Sequence, residues 1–159
     1  VRRSLEPIPF EVPVSEEDGR ERAGSAAYDR ILVDAPCTGL GALRRRPESR
    51  WRKSPQDVAP LAELQGELLS AAVTGLRPGG VVAYVTCSPH LAETRDVVAA
   101  VLDQHRNELE ELDARGVLRR VSRNVPDLAT PGSGGGRAQL WPHRHGTDAM
   151  SITLLRRRG

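Results

Sequence analysis

Aromatic residues and long hydrophobic runs are both scarce in this chain. Its 159 residues include two tryptophans, two tyrosines and one phenylalanine, so few side chains are available to stack on nucleic-acid bases. No apolar run approaches the roughly 20 residues that a membrane-spanning helix requires, and no secretory signal is recognisable. We therefore expect no membrane partner and a cytoplasmic location.

Cysteine is almost as scarce, which narrows the possible chemistry. The only two cysteines, Cys37 and Cys87, are too few for a disulfide framework or a four-cysteine metal site. The spacing of His143, His145 and Asp148 suits a metal ion, but no further ligand is evident, so we expect no metal. A reducing environment is the simplest expectation.

Length and charge indicate little about function. A chain of this size is long enough for one domain with a hydrophobic core. The formal net charge is +2 and the charges are well mixed, so composition alone does not indicate a nucleic-acid partner. The chain begins with Val1 rather than methionine, and we expect it to be a piece of a longer protein.

Each cysteine directly follows a short hydrophobic run typical of a buried strand. Cys37 lies in Asp34-Ala35-Pro36-Cys37-Thr38-Gly39 after Ile31-Leu32-Val33, and Cys87 lies in Thr86-Cys87-Ser88-Pro89 after the run 81–85. Parallel strands form continuous apolar runs, and open α/β sheets bind ligands beyond the carboxyl ends of their strands. The sequence therefore predicts that both thiols and Asp34 meet at one rim of a sheet.

The rest of the pattern predicts helices packed on that sheet. Apolar residues recur every three or four positions from Asp57 or Pro60 to Leu76, which is typical of an amphipathic helix, and a second such helix is predicted at Leu91–Gln104. Strands are predicted at Phe10–Val14, Tyr28–Asp34, Val81–Thr86, Leu109–Leu112, Val117–Val121 and Ala149–Leu155. This alternation, with short connections, predicts an α/β fold with a parallel sheet covered by helices.

A cysteine at a strand end needs assistance to become a nucleophile, because a free thiol is mostly protonated at neutral pH. Cys87 lies just before the predicted second helix, whose positive end would favour a thiolate. Asp34 could serve as a general acid or base or as a hydrogen-bond partner. The usual alternative is an inert, buried cysteine. Two cysteines at equivalent strand ends, each in a turn marked by proline, favour a functional pair.

A series of motifs, in the same order, resembles the RNA cytosine-5 methyltransferases of the Sun/RsmB type. The motifs are Tyr28-Asp29-Arg30-Ile31-Leu32-Val33-Asp34-Ala35-Pro36-Cys37-Thr38-Gly39, Arg44-Arg45-Arg46-Pro47, Gln65 within Leu61–Leu69, Gly79-Gly80, Thr86-Cys87-Ser88, and Gln139–Asp148. The paired Pro-Cys and Thr-Cys motifs are specific when both occur in this order. The resemblance implies a Rossmann-like, S-adenosylmethionine-dependent methyltransferase fold, with residues 1–159 forming part of its catalytic domain.

The resemblance also implies a role for each residue at the predicted rim. Cys87 would add to carbon 6 of cytosine, Asp34 would contact ring nitrogen 3, and Cys37 would help to release the product. The substrate would be RNA, ribosomal RNA in particular. DNA cytosine methyltransferases instead use the Pro-Cys thiol as nucleophile, but the presence of Thr86-Cys87 favours the RNA arrangement.

The cofactor implied by the resemblance is S-adenosylmethionine, held by Asp18, Asp34 and Pro36. Asp18-Gly19-Arg20 resembles the family's third cofactor motif, whereas the glycine-rich loop and the acidic residue of its first two strands are not found. We therefore expect an incomplete sheet whose first two strands are missing, so that the Ile31 strand has an unpaired edge. Such a chain would be weakly active or inactive alone.

A strongly basic segment follows the first cysteine motif. Six of the ten residues from 44 to 53 are cationic: Arg44, Arg45, Arg46, Arg50, Arg52 and Lys53. The segment could be a solvated loop, but its position after the motif that would hold the target base favours contacts to RNA phosphates. Trp51 could equally stack on a base or pack the segment onto the domain. The alternative to an enzyme is a non-catalytic RNA-binding module or a degenerate fragment, which the missing cofactor elements favour.

Overall fold

The computed structural model describes residues 5, 7–21, 28–124, 127–128 and 135–159. The strands in these ranges are β1 (Tyr28–Asp34), β2 (Leu76–Thr86), β3 (Leu109–Leu112), β4 (Ala138–Gln139) and β5 (Ser151–Arg157). The α-helices are α1 (Ser49–Arg52), α2 (Val58–Gly75), α3 (Arg95–Gln104), α4 (Ala114–Val121) and α5 (Pro142–His145). Short 3₁₀ turns occur at Leu40–Ala42, Pro55–Asp57 and Leu91–Glu93.

The described strands form one mixed sheet in the order β1-β2-β5-β3, with the short β4 also paired to β5. β1 and β2 are parallel, as predicted, but β5 is antiparallel to β2, β3 and β4. The prediction of a parallel sheet is therefore wrong for the last strand. The chain between β4 and β5 is too short for the crossover that a parallel strand needs. β5 consequently begins at the rim where β2 ends, with Ser151 opposite Thr86.

Helices cover both faces of the sheet. The predicted amphipathic helix is confirmed as α2, whose Leu69 and Val73 are fully buried against β2 and α3 in the main core. On β5, Leu155 belongs to this core, whereas Leu154 packs on a smaller cluster around α4 and β4. This alternation follows from the two-residue period of a strand.

Three of the predicted elements differ from the structure. The segment 117–121 is not a strand but the end of α4, whose first turn is capped where the Gly116 amide donates to Asp113 at 3.0 Å. Phe10–Val14 forms no strand, consistent with prolines at positions 9 and 13 that cannot donate to a sheet. The predicted second helix begins as the 3₁₀ turn Leu91–Glu93, and its α-helical part starts at Arg95.

One edge of β1 is open. Among the described residues β1 pairs only with β2, and Leu32 is 69% exposed on it. A groove of about 490 Å³, which we call the β1 groove, runs between β1 and α2. Ile31, Val33 and Leu68 are among the residues that line it. The predicted unpaired edge is thus confirmed for the part of the chain that the structure describes.

Candidate active site

The two cysteines meet at the rim formed by the ends of β1 and β2. Asp34 is in register with Val85 across this parallel pair, and the Ala35 amide continues the ladder by donating to the Val85 carbonyl at 3.0 Å. The chain therefore leaves both strands at the same level. The Cys37 and Cys87 sulfur atoms lie 3.3 Å apart, and both thiols are free and partly buried. The prediction that the two thiols share one rim is confirmed.

The pKa values of the two thiols are shifted in opposite directions. The hydrogen bond with Cys37, aided by the backbone amide of Cys87 itself, outweighs burial and the charges of Asp34 and Asp148 and lowers the pKa of Cys87 to about 7. The pKa of Cys37 is raised, first because its hydrogen is shared with Cys87 and then by burial. Of the two thiols, Cys87 therefore ionises first and forms the thiolate, the nucleophilic form of cysteine, while Cys37 keeps its proton.

Selective alkylation checks this assignment. We expect iodoacetamide to modify Cys87 before Cys37, with a midpoint in the pH–rate profile near pH 7. A Cys37→Ala variant removes the hydrogen bond that stabilises the thiolate, so the midpoint should rise toward the ordinary cysteine value of about 8.5. Mass spectrometry of tryptic peptides would measure both rates.

Cys37→Ser is the matched control, because its hydroxyl can still donate and the midpoint should rise less. Equal labelling of Cys37 and Cys87 at pH 7 would contradict the assignment.

A buried carboxylate holds the two cysteine segments together. Glu93, which is fully buried, accepts from the Thr38 amide at 2.7 Å and the Thr38 hydroxyl at 2.5 Å. It also accepts from the Ser88 hydroxyl at 2.6 Å and from the Gln65 amide at 3.2 Å. Since Thr38 follows Cys37 and Ser88 follows Cys87, Glu93 fixes the separation of the two sulfur atoms.

Gln65 and Tyr84 support this carboxylate from the core. The Gln65 side chain donates to the Pro36 carbonyl at 2.8 Å, and the Tyr84 hydroxyl lies 2.8 Å from the Glu93 carbonyl oxygen and 3.1 Å from Gln65 Oε1. Burial raises the pKa of Tyr84, so its hydroxyl remains a donor. Pro36 is thus anchored through its backbone.

Gly41 joins three segments at the rim. Its amide donates to the Cys87 carbonyl at 2.9 Å, and its carbonyl accepts from the Ala149 amide at 2.9 Å. A β-carbon at this position would lie 2.8 Å from the Cys87 carbonyl oxygen and closer still to that of Ala149. Only glycine therefore permits this close approach of the backbones.

An ion pair attaches the basic segment to the start of β5. Arg45 Nε donates to both Asp148 oxygens, at 3.0 and 2.9 Å, and its terminal nitrogen also pairs with that carboxylate. Asp148 is only 8% exposed. Hydrogen bonds from Arg45, followed by the charges of Arg44 and Arg46, lower the pKa of Asp148. Arg45 therefore differs from the other predicted RNA-contacting cations, since its guanidinium already binds a carboxylate.

The other cations of the basic segment face outward. Arg44 donates to the Gly146 carbonyl at 3.3 Å. No ion pair involves Arg46, Arg50, Arg52 or Lys53 within the described ranges. Trp51 is 83% exposed, with the Arg50 guanidinium 5.5 Å from its ring centre. An exposed tryptophan among uncompensated cations is suited to contact with RNA.

Asp34 and the Asp18 turn both border the β1 groove. Asp34 is exposed and lines this groove together with Gly19. Asp18 is engaged by Arg20, whose hydrogen bonds lower its pKa to about 2, and Arg20 also donates to Glu67 of α2 at 2.8 Å. The structure thus brings two of the predicted cofactor-site segments to one groove.

Within the described ranges, no group of three or more His, Cys, Asp or Glu side chains is arranged to hold a metal ion. His145 instead accepts from the Trp141 amide at 2.8 Å and lies 2.8 Å from the Asp127 carbonyl oxygen. None of the described helices is both long and apolar enough to span a membrane.

Some site residues were not predicted from the sequence. No site role was predicted for Glu93 or Gly41, and Asp148 entered the sequence analysis only as the end of the Gln139–Asp148 motif and as a possible metal ligand. A signal for Glu93 was available, since it is an acidic residue in the first turn after Thr86-Cys87-Ser88. Its four donors come from segments far apart in sequence, which the sequence alone does not bring together.

Comparison with known proteins gives consistent matches. A family model described as 16S rRNA methyltransferase RsmB/F matches residues 1–156. Rv1407 of Mycobacterium tuberculosis (strain H37Rv), provisionally named a methyltransferase, is 58% identical over 140 residues, covering 88% of this chain and 29% of that protein. Ribosomal RNA small subunit methyltransferase B of Salmonella typhi is 40% identical over 104 residues, covering 64% of this chain and 24% of that protein. The chain thus spans less than a third of these relatives.

A solved structure of a related protein has a similar fold. NSun6 from Pyrococcus horikoshii, crystallised with SFG, superposes with a TM-score of 0.77 at 25% identity, over 99% of this chain and 38% of that one. The comparison agrees with the Rossmann-like methyltransferase fold expected from the motifs.

Proposed function

Because the chain belongs to the RsmB/F family of 16S rRNA methyltransferases, we propose that it supplies the nucleophilic half of an enzyme that methylates carbon 5 of cytosine in ribosomal RNA. The observation that carries this proposal is the cysteine pair, with sulfur atoms 3.3 Å apart and proton affinities shifted in opposite directions. Carbon 5 of cytosine is a poor nucleophile, and an attacking thiolate is the means to activate it.

Cys87 is the attacking group in this proposal. Its thiolate forms a bond to carbon 6, the double bond between carbons 5 and 6 breaks, and the electron pair becomes available at carbon 5. Asp34 lies close enough for its charge to act on Cys87, and its exposed carboxyl group is available to nitrogen 3 of the ring. In its protonated form it would donate there and stabilise the charge that develops.

Cys37 acts when the product leaves. After carbon 5 has gained the methyl group, loss of its proton to water restores the double bond and breaks the bond between sulfur and carbon 6. Cys87 then departs as a thiolate. The Cys37 thiol, which already shares its hydrogen with this sulfur, stabilises that thiolate as it forms.

The residues that line the β1 groove fit one side of an S-adenosylmethionine site. The groove of about 490 Å³ is largely apolar and has the exposed carboxyl group of Asp34 at its rim, which suits a ligand with an apolar body and a few polar groups. Gly19 and Asp34 would hold the cofactor, with Asp18 and Pro36 in the adjoining segments. When bound, S-adenosylmethionine supplies an electrophilic methyl group. SFG, an analogue of this cofactor, is present in the related NSun6 structure.

The basic segment is proposed to hold the RNA. Arg44, Arg46, Arg50, Arg52 and Lys53 would contact phosphates, because Coulomb attraction to the backbone supplies much of RNA affinity. We assign Arg45 a positioning role, since it already pairs with Asp148. Its contribution is to dock the segment against the rim that holds the cysteines.

The test is the product itself. The full-length protein that contains this chain, incubated with labelled S-adenosylmethionine and unmodified 16S rRNA, should produce 5-methylcytidine detectable by nucleoside mass spectrometry. Methylation at another atom would overturn the proposed chemistry. RNA binding without any methylated nucleoside would instead establish the non-catalytic alternative.

A further inference from the structure

A second cavity is lined in part by the segments that follow the two cysteines. It has a volume of about 550 Å³ and shares no lining residue with the β1 groove. We call it the Val58 pocket; its apolar walls are Leu40, Pro55, Val58, Ala59 and Ala92. Thr38 and His90, which follow Cys37 by one residue and Cys87 by three, also line it. The pocket is therefore lined by residues of both chain segments that carry the cysteines.

The lining suits a flat heteroaromatic ring. Apolar walls with a few polar groups at the margin are typical of sites for such ligands, and single-stranded RNA is recognised by inserting unstacked bases into sites of this kind. Thr38 is 3% exposed and already committed to Glu93. The Ser54 hydroxyl, which also lines the pocket, donates to Asp57 at 3.3 Å. The side-chain polar groups left to read the edge of a ring are those of His90 and Lys53.

His90 can present a defined donor. Its Nδ1 accepts from the Ala92 amide at 3.2 Å, so in the neutral ring the hydrogen resides on Nε2. Nε2 has no hydrogen-bond partner among the described residues. It is therefore available to donate to a carbonyl oxygen or ring nitrogen of a base.

Charge at the pocket favours RNA over an apolar peptide. Lys53 lines the pocket and ends the basic segment, in which Arg50 and Arg52 have no ion pair within the described part of the chain. A polyanion entering the pocket would therefore meet several uncompensated cations. An apolar peptide would gain nothing from them.

The walls of the pocket are held in place before any ligand arrives. Glu93 fixes Thr38 through two hydrogen bonds. At Ser54, another lining residue, the backbone amide donates to Asp57 at 2.8 Å in a capping box that leads into α2. A preformed site loses less entropy when it binds a ligand.

We propose that the Val58 pocket holds the nucleobase adjacent to the target cytosine and thereby contributes to the choice of methylation site. The proposal rests on the proposed function and deepens it. An enzyme that extrudes one base disturbs the stacking of its neighbours, and contacts to those neighbours determine sequence context. His90 would read the edge of the neighbouring base, while Lys53 contacts its phosphate.

Photo-crosslinking tests the location. Synthetic RNA would contain the cytidine that the full-length protein methylates, with 4-thiouridine placed at its 5′ or its 3′ neighbour. At one of the two positions we expect a crosslink in the peptides that contain residues 53–59 or 90–92. Crosslinks confined to other peptides, from both positions, would overturn the proposal.

A pocket-filling variant tests the role. Ala59 is exposed on the first turn of α2, so Ala59→Phe should fold normally while occupying the pocket. Removing the neighbouring base, with an abasic nucleotide, should lower wild-type methylation on the order of tenfold. Ala59→Phe should lower methylation of intact RNA similarly and make the protein insensitive to the abasic change.

Ala100→Phe, at an exposed position of α3, is the matched control and should retain wild-type discrimination. If the effects of Ala59→Phe and the abasic nucleotide simply multiply, the pocket does not hold that base. If the wild-type protein forms no 5-methylcytidine at all, the proposed function fails and this inference fails with it. Normal methylation with no effect of either change would overturn the inference alone.

Discussion

Alanine in place of Cys37 is expected to trap the protein on its RNA. Without the Cys37 hydrogen bond a smaller fraction of Cys87 is ionised, so addition to carbon 6 is slower, but the covalent bond still forms. Release does require Cys37, because the departing thiolate loses the hydrogen bond that Cys37 supplies across 3.3 Å. With S-adenosylmethionine and RNA present, the full-length Cys37→Ala variant should therefore accumulate an adduct that survives denaturing gel electrophoresis.

Cys87→Ala is the decisive counterpart. It should form no adduct and lower methylation at least about 10³-fold, the scale of losing a covalent nucleophile. A double Cys37→Ala, Cys87→Ala variant should also give no adduct. If instead Cys87→Ala accumulated the adduct and Cys37→Ala abolished it, the Pro-Cys thiol would be the nucleophile, as in DNA cytosine methyltransferases.

Removal of Glu93 should have the largest effect on stability. Glu93→Ala leaves Thr38, Ser88 and Gln65 with buried donors that have lost their acceptor. Each unsatisfied buried group costs about 1–3 kcal/mol, and together we expect a loss of about 3–5 kcal/mol, comparable with breaking a buried polar network. At about 2–4 °C per kcal/mol for a domain of this size, the melting temperature should fall by roughly 10 °C.

Two further variants make this test specific. Glu93→Gln preserves the shape but can accept fewer hydrogen bonds, so its loss should be smaller than that of Glu93→Ala. Glu63→Ala removes an exposed carboxylate from α2 and should change stability by less than about 0.5 kcal/mol. Equal melting temperatures for Glu93→Ala and Glu63→Ala would show that the network does not stabilise the fold.

The sequence predicted the meeting of the cysteines because the relevant signals are local. Two hydrophobic runs that each end in a proline-marked turn define parallel strands, and the ends of neighbouring parallel strands lie at the same rim. The spacing of leucines similarly predicted α2 to within a few residues. Where the apolar residues of an element follow a single periodicity, the sequence was sufficient to predict that element.

Other features depend on contacts that sequence patterns do not encode. β5 has the hydrophobic character of a strand, but its direction depends on the short connection from β4. Gly41 looks like an ordinary loop glycine until the backbones of Cys87 and Ala149 are found on either side. Val117 is β-branched and favours a strand, whereas the Asp113 cap and the packing of Ala114 produce a helix.

The pairing of Arg45 with Asp148 has a consequence for the reactive sulfur. The negative charge of Asp148 disfavours the Cys87 thiolate, and Arg45 acts as its counterion. The guanidinium thereby shields the nucleophile from a neighbouring anion, even though it does not touch the sulfur. An RNA phosphate that drew Arg45 away would unmask this charge and weaken the nucleophile. In the proposed complex we therefore expect the surrounding arginines to contact the RNA while Arg45 stays paired with Asp148.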